Sequence, residues 1–185
     1  AIILNCIPEG LVGTIIKHKF MNSPRHLLLS LYHSALQAVH GRTQVAHYLR
    51  LHPLHTPLAL IAIGKAAPQM TVGAFDVLNS QITHALLITK TGHLDPKPFC
   101  NQVITCLEAA HPVPDISSLQ AGQTLLEFIA SLPKSYPILF LLSGGASALV
   151  EVLAPGLSLT DLQRVNQWLL ATGLNIHAMN QIRKS

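Results

Sequence analysis

Two lysines and one serine- and glycine-rich turn are the residues of this 185-residue chain best suited to bind a charged ligand. Lys65 follows the apolar run "PLALIAIG", Lys90 ends the run "HALLITK", and the turn "SGGAS" at residues 143–147 follows "PILFLL". Ammonium groups and the backbone N–H groups of glycine-rich turns both attract anions. The chemistry expected of these residues is therefore the binding of a phosphate or a carboxylate.

The turn after residue 142 has the composition of an anion-binding nest. Consecutive N–H groups of Gly144, Gly145 and Ala146 can point at one anion, because glycine permits positive φ and close approach to the backbone. The hydroxyl groups of Ser143 and Ser147 add two possible donors. The alternative interpretation is a tight strand-to-helix turn without a ligand.

Two further segments contain residues that could bind a ligand or take part in catalysis. Gly64 and Lys65 precede a segment in which Pro68 suits an early helical position, so the ammonium group would lie beside a helix N-terminus. A solvated lysine in an ordinary loop is the alternative. In "HPVPD" two prolines fix the directions of His111 and Asp115, and starting the next helix is favoured over catalysis as the role of Asp115.

The spacing of residues excludes several familiar sites. No G-x-G-x-x-G follows the first strand and no acid ends the next one, so the dinucleotide fingerprint is missing. Lys65 lacks the glycine and hydroxyl of a P-loop, and Ser147 lacks the second glycine of a hydrolase elbow. Histidines at positions 26, 33, 40 and 47 are about 10.5 Å apart along a helix, too far to share a metal. They are interpreted as a polar helix flank, and no metal ligand is predicted.

Composition excludes other classes of protein. Only 11% of the residues are charged, the formal net charge is +4, and Lys and Arg are scattered, so nucleic-acid binding is not predicted. Although 49% of the residues are hydrophobic, each apolar run is far shorter than the roughly 20 residues that cross a bilayer. Three cysteines without a CxxC pair favour a reducing, cytoplasmic compartment.

The order of apolar runs and amphipathic segments predicts an α/β fold. Strands are expected at residues 58–63, 84–89, 102–108 and 138–142, and helices at 24–40, 44–50, 68–78, within 114–132, at 160–172 and from 175 onward. Alternating strands and helices imply a doubly wound parallel sheet with helices on both faces, and ligands bind beyond the carboxyl ends of such strands. Lys65, Lys90 and the 143–147 turn all follow strands.

Local signals refine two of the helix starts and one helix face. Capping boxes are expected at Ser117 with Gln120 and at Thr160 with Gln163. The apolar face of the first helix is expected to consist of Leu28, Leu31, Ala35 and Val39.

Five segments taken together, "GKA", "TKTGH", "HPVPD", "LLSGGASALV" and "NQIRKS", resemble in this order the N-terminal region of the type II glycerate kinases. The resemblance runs from about Leu27 to the last residue. It implies ATP-dependent phosphorylation of D-glycerate at the 2-hydroxyl group, with ATP and Mg²⁺ as cofactors. It also implies a doubly wound N-terminal domain facing a smaller C-terminal domain. The family has historically also been labelled hydroxypyruvate reductase.

The resemblance assigns roles to the residues identified above. Lys65 would be the leading catalytic or phosphate-binding residue, with Gly64 and Lys90 beside the ligands. The residues that match the family's glycine-rich motif are Ser143, Gly144, Gly145, Ala146 and Ser147, with Ala146 in place of a third glycine. The family's "N-x-x-R-K" is matched by Asn180, Arg183 and Lys184, of which Arg183 would be a second catalytic residue.

Family members are considerably longer than this chain. Residues 1–20 are interpreted as an appendage outside the family, and residues 21–185 as a partial N-terminal domain that is inactive alone. The alternatives are an NAD-dependent hydroxypyruvate reductase, against which the missing dinucleotide fingerprint argues, and a non-catalytic anion-binding module. The partners expected are small molecules, and the oligomeric state is left open.

Overall fold

The computed structural model describes residues 2–3, 23–100 and 102–184. These residues contain the strands β1 (Ile2–Ile3), β2 (Leu58–Ile63), β3 (Ile82–Lys90), β4 (Ile104–Ala109) and β5 (Ile138–Leu142). They also contain the helices α1 (Pro24–Ala38), α2 (Gly41–Leu51), α3 (Ala67–Leu78), α4 (Ile116–Ser131), α5 (Ala146–Leu149), α6 (Leu159–Ala171) and α7 (Ile176–Lys184). The strands form one parallel sheet in the order β1-β5-β2-β3-β4.

The strands form where the sequence is continuously apolar. All six residues of β2 are buried, as expected for a central strand covered on both faces. The predicted bounds of β2 and β5 are confirmed, whereas β3 is longer at both ends and β4 begins at Ile104 and ends at Ala109. Of the predicted appendage, only Ile2–Ile3 lies within the described residues, where it pairs with β5.

Helices cover the two faces of the sheet with separate apolar clusters. On one face, side chains of α2 and α3 such as Val45 and Met70 pack against Leu60 of β2. On the other face, residues of α4 and α5 such as Ala121 and Leu149 pack against β2 and β3. Each fully buried Leu or Ile contributes about 1.5–3 kcal/mol relative to an exposed one. The predicted doubly wound α/β fold is confirmed.

The order of the strands creates a topological switch point between β2 and β5. From β2 the chain passes through α3 on one face to its neighbour β3, and then to β4 at the edge. From β4 it returns through α4 on the opposite face to β5, on the other side of β2. Because β2 and β5 lead to helices on opposite faces, the loops at their carboxyl ends diverge and leave a crevice.

The capping boxes begin at other residues than predicted. Asp115 caps α4 together with Ser118, and Ser158 caps α6 together with Asp161. Both predicted pairs, Ser117 with Gln120 and Thr160 with Gln163, are wrong. Both observed boxes use an aspartate. In α4 the carboxylate of the N-cap residue Asp115 accepts from the N–H of Ser117, and in α6 the carboxylate of Asp161 accepts from the N–H of the N-cap residue Ser158.

The first helix forms as predicted, with Ser23 as its N-cap and Pro24 in its first turn. Its expected apolar face is not buried, however: Leu28, Leu31 and Val39 are 67%, 58% and 61% exposed. The periodic pattern therefore predicted the helix correctly but not what covers it. Among the described residues, no helix combines the length and apolar character needed to cross a membrane.

Candidate functional site

The candidate site lies at the carboxyl ends of β2 and β5, at the switch point of the sheet. Ile63, the last residue of β2, is in register with Leu142, the last residue of β5. The loop with Lys65 therefore leaves the sheet beside the loop that begins at Ser143. Gly64 and Lys65 follow β2, the 143–147 turn follows β5, and Lys90 is the last residue of the neighbouring β3, so the predicted residues share this one edge.

Hydrogen bonds fasten the two central loops to each other. The N–H of Lys65 donates to the carbonyl of Gly144 at 3.0 Å, and the N–H of Ala66 donates to the hydroxyl of Ser143 at 3.0 Å. The N–H of Ser143 in turn donates to the carbonyl of Ile63 at 3.0 Å. The Ser143 hydroxyl thus accepts a hydrogen bond inside the protein and keeps its own hydrogen for a further contact.

Gly64 permits this close approach because it has no side chain. Its φ is +127°, and a Cβ placed on it would lie 2.2 Å from the hydroxyl oxygen and 2.6 Å from the carbonyl oxygen of Ser143. Its N–H donates to Ile88 and its carbonyl accepts from the buried hydroxyl of Thr89, so β3 also holds it. A larger residue at this position would push the two loops apart.

Lys65 is exposed at the start of α3, as the sequence predicted. The first turn of α3 has few N–H groups available to bind an anion. Those of Ala66 and Ala67 already donate hydrogen bonds within the protein, and Pro68 has no N–H group. Neither Lys65 nor Lys90 forms a salt bridge with any carboxylate that the structure describes. The attraction for an anion at this edge therefore comes mainly from the two ammonium groups.

The glycine-rich turn leads directly into α5, which spans only Ala146–Leu149. Gly145 has a φ of +92°, and a Cβ on it would lie 3.0 Å from Cδ2 and 3.1 Å from Nε2 of His111, and 3.2 Å from Cε of Lys65. Three segments that are far apart in sequence thus meet over Gly145. Gly144 and Ser147 are exposed beside this meeting point.

Glu108 orders the loop that follows Lys90. Its Oε1 accepts hydrogen bonds from the N–H groups of Gly92, His93 and Leu94 at 2.8, 3.1 and 3.1 Å. Three convergent backbone donors are typical of an anion-binding turn, and here the chain supplies its own carboxylate. Sequence reasoning missed this role of Glu108, because its partners come from the loop before β4.

The segment after β4 places His111 and Asp115 differently. Asp115 accepts hydrogen bonds from the backbone and side chain of Ser117, which lower the pKa of its carboxyl group. Its structural role at the start of α4 is confirmed. His111 is half-buried, and its pKa is lowered first by burial and then by electrostatic interaction with Lys65, Lys90 and His93.

The basic motif near the end of the chain lies on α7. Asn180 is half-buried there, and Ile182 lines a groove formed with residues 151–157 and α6. The side chains of Arg183 and Lys184 are outside what the structure describes. No hydrogen bond joins Asn180 to Lys65 among the described residues, and the role of this motif stays a prediction.

The structure shows no preformed metal site in the part of the chain it describes. No three His, Cys, Asp or Glu side chains converge there at a distance that would hold an ion. Glu108 and Asp115, the carboxylates on either side of His111 in the sequence, are occupied by the hydrogen bonds given above.

Comparison with known proteins agrees with this arrangement. The family model described as "Domain of unknown function (DUF4147)" matches residues 27–185. The chain belongs to this family. It is 38% identical over 125 residues to the D-glycerate 2-kinase of Thermotoga maritima and 34% identical over 125 residues to the glycerate 2-kinase of Pyrococcus horikoshii. The resemblance to the N-terminal domain of the glycerate kinase family is thereby confirmed.

Solved structures of DUF4147 relatives share the fold. The crystal structure of glycerate kinase from Thermotoga maritima superposes with a TM-score of 0.75 at 32% identity, over 86% of this chain and 38% of that chain. A protein of Pyrococcus horikoshii superposes with a TM-score of 0.68 at 27% identity, over 90% of this chain and 39% of that chain.

The alignments also show how much of the relatives this DUF4147 chain represents. The alignments with the two kinases cover 68% of this chain in each case, but 29% of the Thermotoga maritima protein and 27% of the Pyrococcus horikoshii protein. These alignments thus cover less than a third of each of the two relatives, and the superposition covers 38% of the Thermotoga maritima structure.

Proposed function

We propose that this chain supplies a substrate-binding part of an ATP-dependent glycerate 2-kinase. The observation that carries the proposal is the pair of loops at the switch point, in which Lys65 and Gly144 are joined by a hydrogen bond. The lysine side chain has no carboxylate partner in the part of the chain that the structure describes. Both substrates, ATP and D-glycerate, are anions that such a place attracts. The kinase names of the Thermotoga maritima and Pyrococcus horikoshii relatives support this choice of ligands.

The proposed reaction transfers the terminal phosphoryl group of ATP. The 2-hydroxyl oxygen of D-glycerate forms a bond to the γ-phosphorus, the bond from that phosphorus to the bridging oxygen breaks, and ADP leaves. Negative charge is spread over the transferred group, so a fixed ammonium group such as that of Lys65 stabilises the transition state. Lys90, at the end of the neighbouring strand, is proposed to hold the second anion.

Mg²⁺, the second cofactor that the kinase reaction implies, has no site of its own in the described residues. When bound, Mg²⁺ neutralises phosphate charge and is commonly held by the nucleotide together with one or two carboxylates. The described part of the chain offers no such cluster.

The isolated chain is proposed to bind ligand without turnover. Its alignment covers 29% of the Thermotoga maritima relative, and we propose that the complete reaction needs groups from the remaining length of such a protein. Arg183, Asn180 and Lys184 on α7 are proposed to act together with those groups. We expect the protein to work in the cytoplasm on small molecules.

Calorimetric titration with ATP tests the role of Lys65. Because a hydrogen bond to a charged group is worth about 1.5–3 kcal/mol, K65A is expected to weaken ATP binding by roughly tenfold or more. The matched control is K134A, since Lys134 is an exposed lysine just before β5, at the opposite edge of the sheet. Equal affinities for the K65A variant and the parent chain would remove the proposal.

Release of ADP tests the reaction itself. The chain is assayed with ATP, D-glycerate and Mg²⁺, alone and joined to the part of the Thermotoga maritima relative that it does not cover. Turnover only in the joined protein, lost with K65A, is the expected result. Turnover that K65A leaves intact, or none in a folded joined protein, would leave a binding module.

A second candidate is favoured by the names of two relatives from Agrobacterium vitis. These relatives carry a hydroxypyruvate reductase name and are 34% and 30% identical to the chain. Consumption of NADH with hydroxypyruvate, without any use of ATP, would favour that activity over the kinase.

A further inference from the structure

His111 reaches the candidate site from the far edge of the sheet. It follows β4, which is separated from β2 by β3, and it begins the connection that crosses back to α4. The edge of its ring that carries Nε2 faces Gly145, because a Cβ on that glycine would lie 3.1 Å from Nε2. The prolines of "HPVPD" restrict the backbone that holds this position.

The same space is bordered by Lys65. The Cε of this lysine lies 3.2 Å from the point where a Cβ of Gly145 would be, so lysine and imidazole flank one small volume above the glycine. Even a Cβ would be crowded at this point, so the lysine and the imidazole both pack against the bare glycine and lie close to each other. A substrate hydroxyl group placed beside a phosphoryl group that Lys65 holds would therefore come within reach of His111.

The imidazole of His111 is free to contact such a substrate. Its ring makes no hydrogen bond with any group that the structure describes, although the residue is only half exposed. The titratable groups near it are Lys65 from the loop after β2, Lys90 from the end of β3, and His93 from the loop after β3. Burial, and then these neighbours, favour the neutral ring, which carries a lone pair on one nitrogen.

We propose that His111 accepts a hydrogen bond from the hydroxyl group of the bound substrate and takes its proton during the reaction. This inference rests on the proposed glycerate kinase function. As the hydroxyl oxygen bonds to the γ-phosphorus and ADP departs, the hydroxyl proton moves to the free ring nitrogen and leaves with solvent afterwards. A general base within hydrogen-bond reach is the arrangement this step requires.

The hydrogen bond between His111 and the substrate hydroxyl group can be tested on the present chain by measuring two ligands with two forms of the protein. Calorimetry compares D-glycerate with 3-hydroxypropanoate, which lacks the 2-hydroxyl group. H111F is expected to weaken D-glycerate binding by about five- to tenfold, as for the loss of one hydrogen bond. The same substitution should change 3-hydroxypropanoate binding by less than about twofold, because the contact it removes is absent there.

Matched variants separate the contact from a structural role. H47F replaces an exposed histidine on α2 and is expected to change neither affinity. H111Q retains a hydrogen-bond acceptor, so it should restore much of the D-glycerate affinity but not proton transfer. In the joined protein H111Q is therefore expected to lower kcat by about a hundredfold with little change in KM.

The outcomes distinguish the two proposals. Binding of D-glycerate that depends on Lys90 but responds equally to H111F for both ligands, or an unchanged kcat in H111Q, would overturn the role of His111 alone. No D-glycerate binding by the folded chain would overturn the proposed function and this inference with it.

Discussion

Gly64 shows how a residue without a side chain decides where two loops lie. Its positive φ turns the chain at the end of β2, and its bare Cα lets Ser143 come within hydrogen-bond distance of Ala66. The result is that Lys65 is held beside the glycine-rich turn. A side chain at position 64 would meet backbone atoms of Ser143, which have no room to move.

The prediction at this scale compares two glycines of the same site. G64A is expected to destabilise the fold by about 3 kcal/mol, from backbone strain and the clash with Ser143. G144A is the control, because its Cβ would meet nothing within 4 Å and its φ is not positive; a change within about 0.5 kcal/mol is expected. Urea unfolding measures both, and equal losses would contradict this account of Gly64.

At the scale of the elements, α4 depends on a cap that lies next to the candidate site. Asp115 receives hydrogen bonds from Ser117, while the hydroxyl of Ser118 accepts from the backbone of Asp115. The same short segment carries His111. The start of α4 therefore anchors one end of the loop that brings the imidazole to Gly145.

The element-scale prediction concerns the pH dependence of this cap. Because its hydrogen bonds lower the pKa of Asp115 in the folded protein, its stabilisation is fully present above the carboxyl group's ordinary pKa and is lost as the pH falls through the lowered value. D115A should cost about 1 kcal/mol at pH 7, and the difference from the parent chain should shrink in acid.

Urea unfolding between pH 7 and acid measures this difference. E127A, at an exposed position on α4, is the control and should show a small effect throughout. A D115A deficit that stays constant into acid would contradict the assignment of the stabilisation to the ionised carboxylate.

At the scale of the whole molecule, two helices expose large apolar side chains. Leu28 and Leu31 on α1 are 67% and 58% exposed, and Trp168 on α6 is 56% exposed. Isolated apolar residues are normal on a protein surface, but several on one helix face favour association. The buried core lies instead between the sheet and α2 to α5.

We therefore predict that the chain self-associates at high concentration through α1. Analytical ultracentrifugation should show mass increasing with concentration, and the double substitution L28S/L31S should reduce it. L126S, on exposed residue Leu126 of α4, is the control. Association that L28S/L31S leaves unchanged would contradict a role for this face.

The sequence by itself determined the strands, the fold class and most of the candidate site. Short continuous apolar runs that alternate with helical segments favour strands of a parallel sheet, so the bounds of β2 and β5 followed directly. Lys65, Lys90 and the 143–147 turn follow strands, and parallel strands end at a common edge. Their shared location was therefore predictable from local patterns alone.

Only the tertiary structure decided which distant groups meet. His111 faces Gly145, and Glu108 accepts from the 92–94 turn, because the chain crosses the sheet between residues that no local pattern connects. The apolar face of α1 was also beyond prediction, since periodicity indicates that a face is apolar but not what covers it. Local interactions set the elements, whereas strand order and loop paths set the site.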